Sequence, residues 1–196
     1  KTMKALAAVS IRQYQRAVES LIDYNKAVEM GLHVALAYRS TPTVTALAPP
    51  ARRMGAVVFG SDQGLCGPLN ENIALFALDQ MAESGVSEED RYVVTFGLRV
   101  HGHLEDAGQP VLENLTMPNS VTGITPLVQD LILVLEDWHF RQQIEHVYLY
   151  YDEYVSGANY RPRALTLLPM DRHWLKKLEQ TKWPSRILPI FSLDWV

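Results

Sequence analysis

The sequence predicts an α/β fold: a mostly parallel sheet with helices on both faces and an antiparallel edge hairpin, preceded by one long N-terminal helix. Three observations carry that prediction. Residues 1–38 contain no proline and an unbroken apolar seam. From about residue 54 onward, short apolar runs alternate with helical segments, the pattern of a parallel sheet covered by helices. Near residue 147 the pattern changes to two strand-like runs around a turn, which adds an antiparallel edge.

The N-terminal segment is built from good helix formers, chiefly Ala, Leu, Arg, Gln, Glu and Lys, with Gly31 as its single glycine. Ala7, Ile11, Tyr14, Val18, Leu21, Asn25, Val28, Leu32 and Ala35 follow the alternating three-four spacing of a coiled-coil seam. Asn25 holds a seam position, where a polar side chain can fix register at some cost in stability. A helix of this length spans roughly 55–60 Å, longer than a small domain is wide, so much of it must project. Left bare, such a stripe exceeds what soluble monomers usually expose. The expectation is a partner helix, in another chain or in a part of the gene product absent from this one.

A linker follows over residues 41–53, stiffened by Pro42, Pro49 and Pro50. The body, residues 54–196, then reads as a series. Gly55–Gly60 is a buried strand. Pro68 sits at the first turn of a helix to about Glu83, with Ile73, Leu75, Phe76, Leu78 and Met81 as its apolar residues. Tyr92–Phe96 is a second strand, followed by a short helical piece through Asp106, and Pro110–Leu115 is a weaker third strand. Pro126–Gln143 is a strong helix with Leu127, Leu131, Val134, Leu135 and Trp138 on one face. Val147–Val155 and Arg161–Leu168 form a hairpin around Ser156-Gly157-Ala158-Asn159, and Asp171–Gln180 is one further short helix.

Composition narrows the function. The 196 residues carry 18 basic and 22 acidic side chains, a formal net charge of −4, which argues against non-specific nucleic-acid binding. The charge is uneven: residues 1–40 hold six bases against three acids, leaving a net −7 for the rest. A basic arm on an acidic body suggests a separate partner for the arm. One cysteine, Cys66, excludes an internal disulfide framework, and no apolar run approaches a membrane span. The chain starts at Lys1 with no signal-peptide pattern, so the expectation is a soluble, intracellular piece of a longer product.

Ser61-Asp62-Gln63-Gly64-Leu65-Cys66-Gly67 joins the first strand to a helix, the place where α/β folds favour anions. The segment lacks the Gly-Lys-Ser/Thr ending of a P-loop and the three-glycine dinucleotide spacing, and Pro68 removes an amide donor. A tight turn is therefore favoured over a phosphate site, with a small phosphoryl-binding α/β enzyme as the alternative. His101 and His103 would point the same way on a strand, with Glu105 and Asp106 nearby, but two histidines without a third ligand are weak evidence for metal. Asp152 and Glu153 fall on opposite faces of a strand and so do not form a working acid pair. No catalytic constellation and no cofactor are expected.

Four segments in order resemble the gamma subunit of rotary F-type ATP synthases. Lys1-Thr2-Met3-Lys4-Ala5-Leu6-Ala7-Ala8 is similar to the family's helix opening with paired alanines. Ser61 through Gly67, extended by Pro68-Leu69-Asn70, resembles its Ser-Asp-Arg-Gly-Leu-Cys-Gly signature. Tyr150-Tyr151-Asp152-Glu153-Tyr154, with Pro162 on the return, resembles its Tyr-Asn-x-Phe strand, and Phe191–Trp195 the stretch before its C-terminal helix. The resemblance implies a Rossmann-like body carrying half of an antiparallel coiled coil, whose other half is this chain's own missing C-terminal helix. It implies a rotor that does no bond chemistry. The implied partners are the alpha and beta subunits of a catalytic hexamer, an epsilon subunit and a membrane c-ring, at the cytoplasmic face of the membrane. It also implies interface positions at Lys4, Ile11, Arg12, Val18, Leu21, Gln63, Leu65 and Cys66. Two departures, Val9-Ser10-Ile11 where a lysine usually follows the serine and Gln63 in place of the signature arginine, remove positive charge and point to a divergent branch.

Overall fold

A computed structural model describes residues 2–37, 52–156 and 159–180, without the side chains of residues 2–6, 8, 36 and 37. The expected proline linker over 41–51, the hairpin turn at 157–158 and the tail with Trp183 and Trp195 lie outside the described residues. The elements are α1 (Thr2–Ala37), β1 (Met54–Phe59), α2 (Leu69–Glu83), β2 (Arg91–Phe96), α3 (Leu98–Asp106), β3 (Glu113–Leu115), α4 (Ile124–Phe140), β4 (His146–Ser156), β5 (Asn159–Leu168) and α5 (Arg172–Gln180). They fall into two compact units, one holding α1 and α5, the other holding the sheet with α2, α3 and α4.

The sheet order is β3-β2-β1-β4-β5. β1 runs parallel to β2 and to β4, β2 runs parallel to β3, and β4 pairs antiparallel with β5. This is the mixed sheet the sequence pattern predicts. β1 is central and lined on both faces, so all but its last residue are buried, which is why it reads as a continuous apolar run.

Side-chain alternation divides the core. Met54, Ala56 and Val58 face one layer, where they pack with Val93, Tyr150, Ile73 and Met81 of β2, β4 and α2, and with Val100 and Leu104 of α3. Val57 faces the opposite layer with Val94, Phe96 and Val147, against Trp138 of α4. All five residues expected on the inner face of α4 pack into that layer. In α2 one expectation is corrected: Leu75 is 54% exposed, while Ala74 and Ala77 are buried. Close approach to the sheet selects small residues there. Gly55 makes room for the Trp138 ring, whose atoms a β-carbon at position 55 would overlap.

α5 groups with α1 in the first of these units. Leu175 and Leu178 are buried, as is Val34 of α1, and the His33 Nδ1–H donates to the Leu178 carbonyl at 2.7 Å. At about 100° per residue, His33 and Val34 lie well round the helix from Val28 and the seam. α5 therefore leaves the seam open. The 36 residues of α1 span about 54 Å, and Ile11, Val18 and Leu21 are 56%, 59% and 56% exposed along it.

Candidate functional site

The loop between β1 and α2 is held by side chains that the signature itself supplies. The Ser61 N–H donates to Asn70 Oδ1 at 2.8 Å, and Asn70 Nδ2 donates back to Ser61 Oγ at 2.9 Å and to Cys66 Sγ at 3.1 Å. Ser61 Oγ in turn donates to the Gln63 carbonyl at 2.8 Å. Asn70 is buried in the first turn of α2, so the helix carries the group that closes the loop in front of it.

Asp62 reaches further. Its Oδ1 accepts the N–H of Leu98, the first residue of α3, at 2.9 Å, and its Oδ2 accepts the N–H of Met117, just past β3, at 2.9 Å. The Arg99 N–H donates to the Ser61 carbonyl at 2.9 Å. Such close approach requires glycine at position 97: its φ is +111°, and a β-carbon there would lie 2.6 Å from the Ser61 nitrogen. A carboxylate at the start of α3 is where the helix dipole favours negative charge.

Leu65 stands at the crest of the loop, fully exposed and with φ at +66°, a conformation that bulky side chains rarely adopt. Beside it an open groove of about 500 Å³ is lined by Gly64, Cys66, Gly67, Asn70, Arg99 and His103. Cys66 is half-buried and engaged by Asn70 rather than enclosed in the core.

Of the sequence-predicted interface positions, Gln63, Leu65 and Cys66 come together in this loop. Ile11, Val18 and Leu21 line the stripe of α1, with Arg12 about 100° round the helix from Ile11. Lys4 lies on α1, but its side chain is outside the described ones. The structural roles of Asp62 and Asn70 and the groove residues Arg99 and His103 were not legible in sequence, since their partners lie up to 55 residues away. The two histidines do not share a face. His101 and His103 are on helix α3, where a spacing of two separates them by about 200°. His101 instead faces Glu105 at 3.2 Å and Thr95 Oγ1 at 3.5 Å. Among the described residues no group of three His, Cys, Asp or Glu side chains could hold a metal ion.

Comparison with known proteins adds the decisive observation. Curated relatives include the ATP synthase gamma chain of Thiobacillus denitrificans, 26% identical over 187 residues, covering 94% of this chain and 62% of that one. Another is the ATP synthase gamma chain of Desulfitobacterium hafniense, 27% identical, covering 88% and 60% respectively. A family model described as ATP synthase matches residues 1–190. The chain belongs to the ATP synthase gamma family. It spans about three-fifths of the length of the gamma chains it matches. Among solved structures, this gamma-family chain resembles the central stalk and c-ring structure of the Tetrahymena thermophila mitochondrial ATP synthase in fold. The TM-score there is 0.55 at 16% identity, covering 97% of this chain and 80% of the other. Among the described residues of this gamma-family chain, no helix is long and apolar enough to cross a membrane.

Proposed function

We propose that the protein is the central-stalk rotor subunit of an F1Fo ATP synthase or ATPase. In this reading it couples ion-driven rotation to conformational change at catalytic sites on other subunits and performs no bond chemistry itself. The observation that carries the reading is the bare stripe of α1, where Ile11, Val18 and Leu21 are each more than half exposed in a gamma-family chain. A stripe of that kind asks for cover, and in a shaft the cover is a second, antiparallel helix supplied by the same gene product. Asymmetric contacts along such a shaft can bias the states of surrounding subunits only if each state meets it differently. Unequal helix faces meet that requirement.

The proposed partners are the alpha and beta subunits of the catalytic hexamer, the epsilon subunit and the membrane c-ring. The complex is bound to the membrane, with this subunit peripheral at its cytoplasmic face. Lys4, Ile11, Arg12, Val18 and Leu21 belong to the shaft in this reading, and Gln63, Leu65 and Cys66 to a second contact made by the body. Co-expression of the full-length gene product with alpha and beta subunits from the same source tests the proposal. The expected result is co-purification of one complex that hydrolyses ATP. A gene product that elutes alone, folded and monomeric, overturns the reading.

A further inference from the structure

β4 outruns its neighbour. β1 pairs with it only from His146 to Tyr150, so beyond Tyr150 the hairpin of β4 and β5 is a two-stranded ribbon. On one face of that ribbon Glu153 lies directly opposite Arg161 and diagonal to Arg163. Both arginines donate their Nε–H to the same oxygen, Glu153 Oε2, at 2.6 and 2.9 Å. Alternation puts the two arginines on this face, and Pro162 between them deprives the edge strand of an N–H. Addition of a further strand is discouraged there, which leaves recognition to the side chains.

The charges do not balance. Two guanidiniums drawn to one oxygen repel each other, and a single carboxylate cancels only one of them. The cluster keeps a net +1 on a part of the chain, residues 41–196, whose formal charge is −7. Its cations are accessible, the Arg161 and Arg163 side chains being 57% and 45% exposed. Among the described residues their Nη groups meet no acceptor, and a pair of Nη groups is a fork that receives a carboxylate end-on.

We propose that Arg161 and Arg163 form a docking site for an acidic segment of a partner protein, whose carboxylate completes a cluster of two cations and two anions with Glu153. The missing charge names the occupant. A second carboxylate neutralises the cluster, and Glu153 already holds both guanidiniums in place for it. The surface shares no residue with the shaft or the β1–α2 loop, and its test needs no other subunit, so its failure leaves the rotor reading standing.

The probe is a fluorescently labelled glutamate decapeptide, titrated against the 196-residue chain at low salt and read by anisotropy. Changing Arg161→Gln and Arg163→Gln together should weaken binding about tenfold, with thermal unfolding showing the sheet still folded. The bases of α1 remain in that variant, so the difference reads the hairpin alone. Arg161→Lys with Arg163→Lys keeps the charge without the planar fork and should recover only part of the loss. Glu153→Gln raises the cluster to +2 and should tighten binding, an effect that fades with added salt. Equal affinity in the parent and the glutamine pair overturns the site, and full affinity in the lysine pair overturns recognition by the fork. Inorganic phosphate that binds the parent as tightly as the peptide, and fails in the same variants, overturns the acidic-segment assignment.

Discussion

Asp152 and Glu153 are consecutive residues of β4, and their carboxyl groups are driven in opposite directions. Both Asp152 oxygens are buried without a hydrogen-bond partner among the described residues, and burial pushes the group from 3.8 up to about 6. Glu153 faces the other way and accepts the Nε–H groups of Arg161 at 2.6 Å and Arg163 at 2.9 Å, which hold its carboxyl below the usual range.

The sign of the Asp152 shift fixes a pH dependence. The folded state keeps this proton more tightly than the unfolded state does, so its contribution is full below about pH 4 and is lost as pH rises to about 6. Asp152→Asn should remove that loss. Thermal unfolding between pH 4 and 8 should show the variant gaining on the parent as pH rises, with the gap constant above pH 7. Parallel curves across the whole range would contradict the assignment. Glu153 has the reverse sign, its contribution present above the usual carboxylate range and fading as pH falls, so Glu153→Gln should lower stability at neutral pH and converge with the parent on the acid side.

Gly97 is a test of the loop. An alanine there must adopt φ near +111° with its β-carbon against the Ser61 backbone. Strain of this type costs on the order of 1–3 kcal/mol, and the clash adds to it. Gly97→Ala should lower the urea midpoint with an unchanged slope, and a midpoint equal to the parent's would show that the contact is not held in solution.

The stripe of α1 predicts behaviour of the 196-residue chain itself. Ile11, Val18 and Leu21 are mostly in water, so changing all three to glutamine should leave the fold intact and remove a sticky surface. Sedimentation should show concentration-dependent association for the parent chain and a monomer for the triple variant. Equal association of both would move the contact elsewhere.

α5 is held on α1 by a small contact, Leu175 and Leu178 with the His33 hydrogen bond. Leu178→Asp buries an unpaired charge and should release the helix. Amide exchange over residues 172–180 should rise by orders of magnitude while the sheet stays protected. Protection retained over α5 would count against the packing seen here.

Local pattern carried most of the fold into the sequence. β1 reads as an uninterrupted apolar run because it is central, and α4 shows a single stripe because one of its faces meets the sheet. The seam of α1 is visible because nothing interrupts its spacing. What stayed hidden depends on distance along the chain. The bond from Asp62 to Met117 spans 55 residues and that from His33 to Leu178 spans 145, and neither leaves a periodic trace. Leu65 was named from its signature, yet its left-handed backbone could not be read there, because a leucine is the last residue one would assign to it. His101 and His103 would share a face only on a strand, and they lie in the short helical piece that the sequence assigns through Asp106.

The bonds from Asp62 also bear on mechanical response. A sideways force on the crest of the loop would pass through one carboxylate into the ends of β2 and β3, and through Gly60 into Phe96 by a 2.8 Å bond, as well as into β1. The load would be shared by three strands pulled along their lengths, the direction in which an extended chain gives least. The crest would then yield as part of a plate, with little bending at its own base.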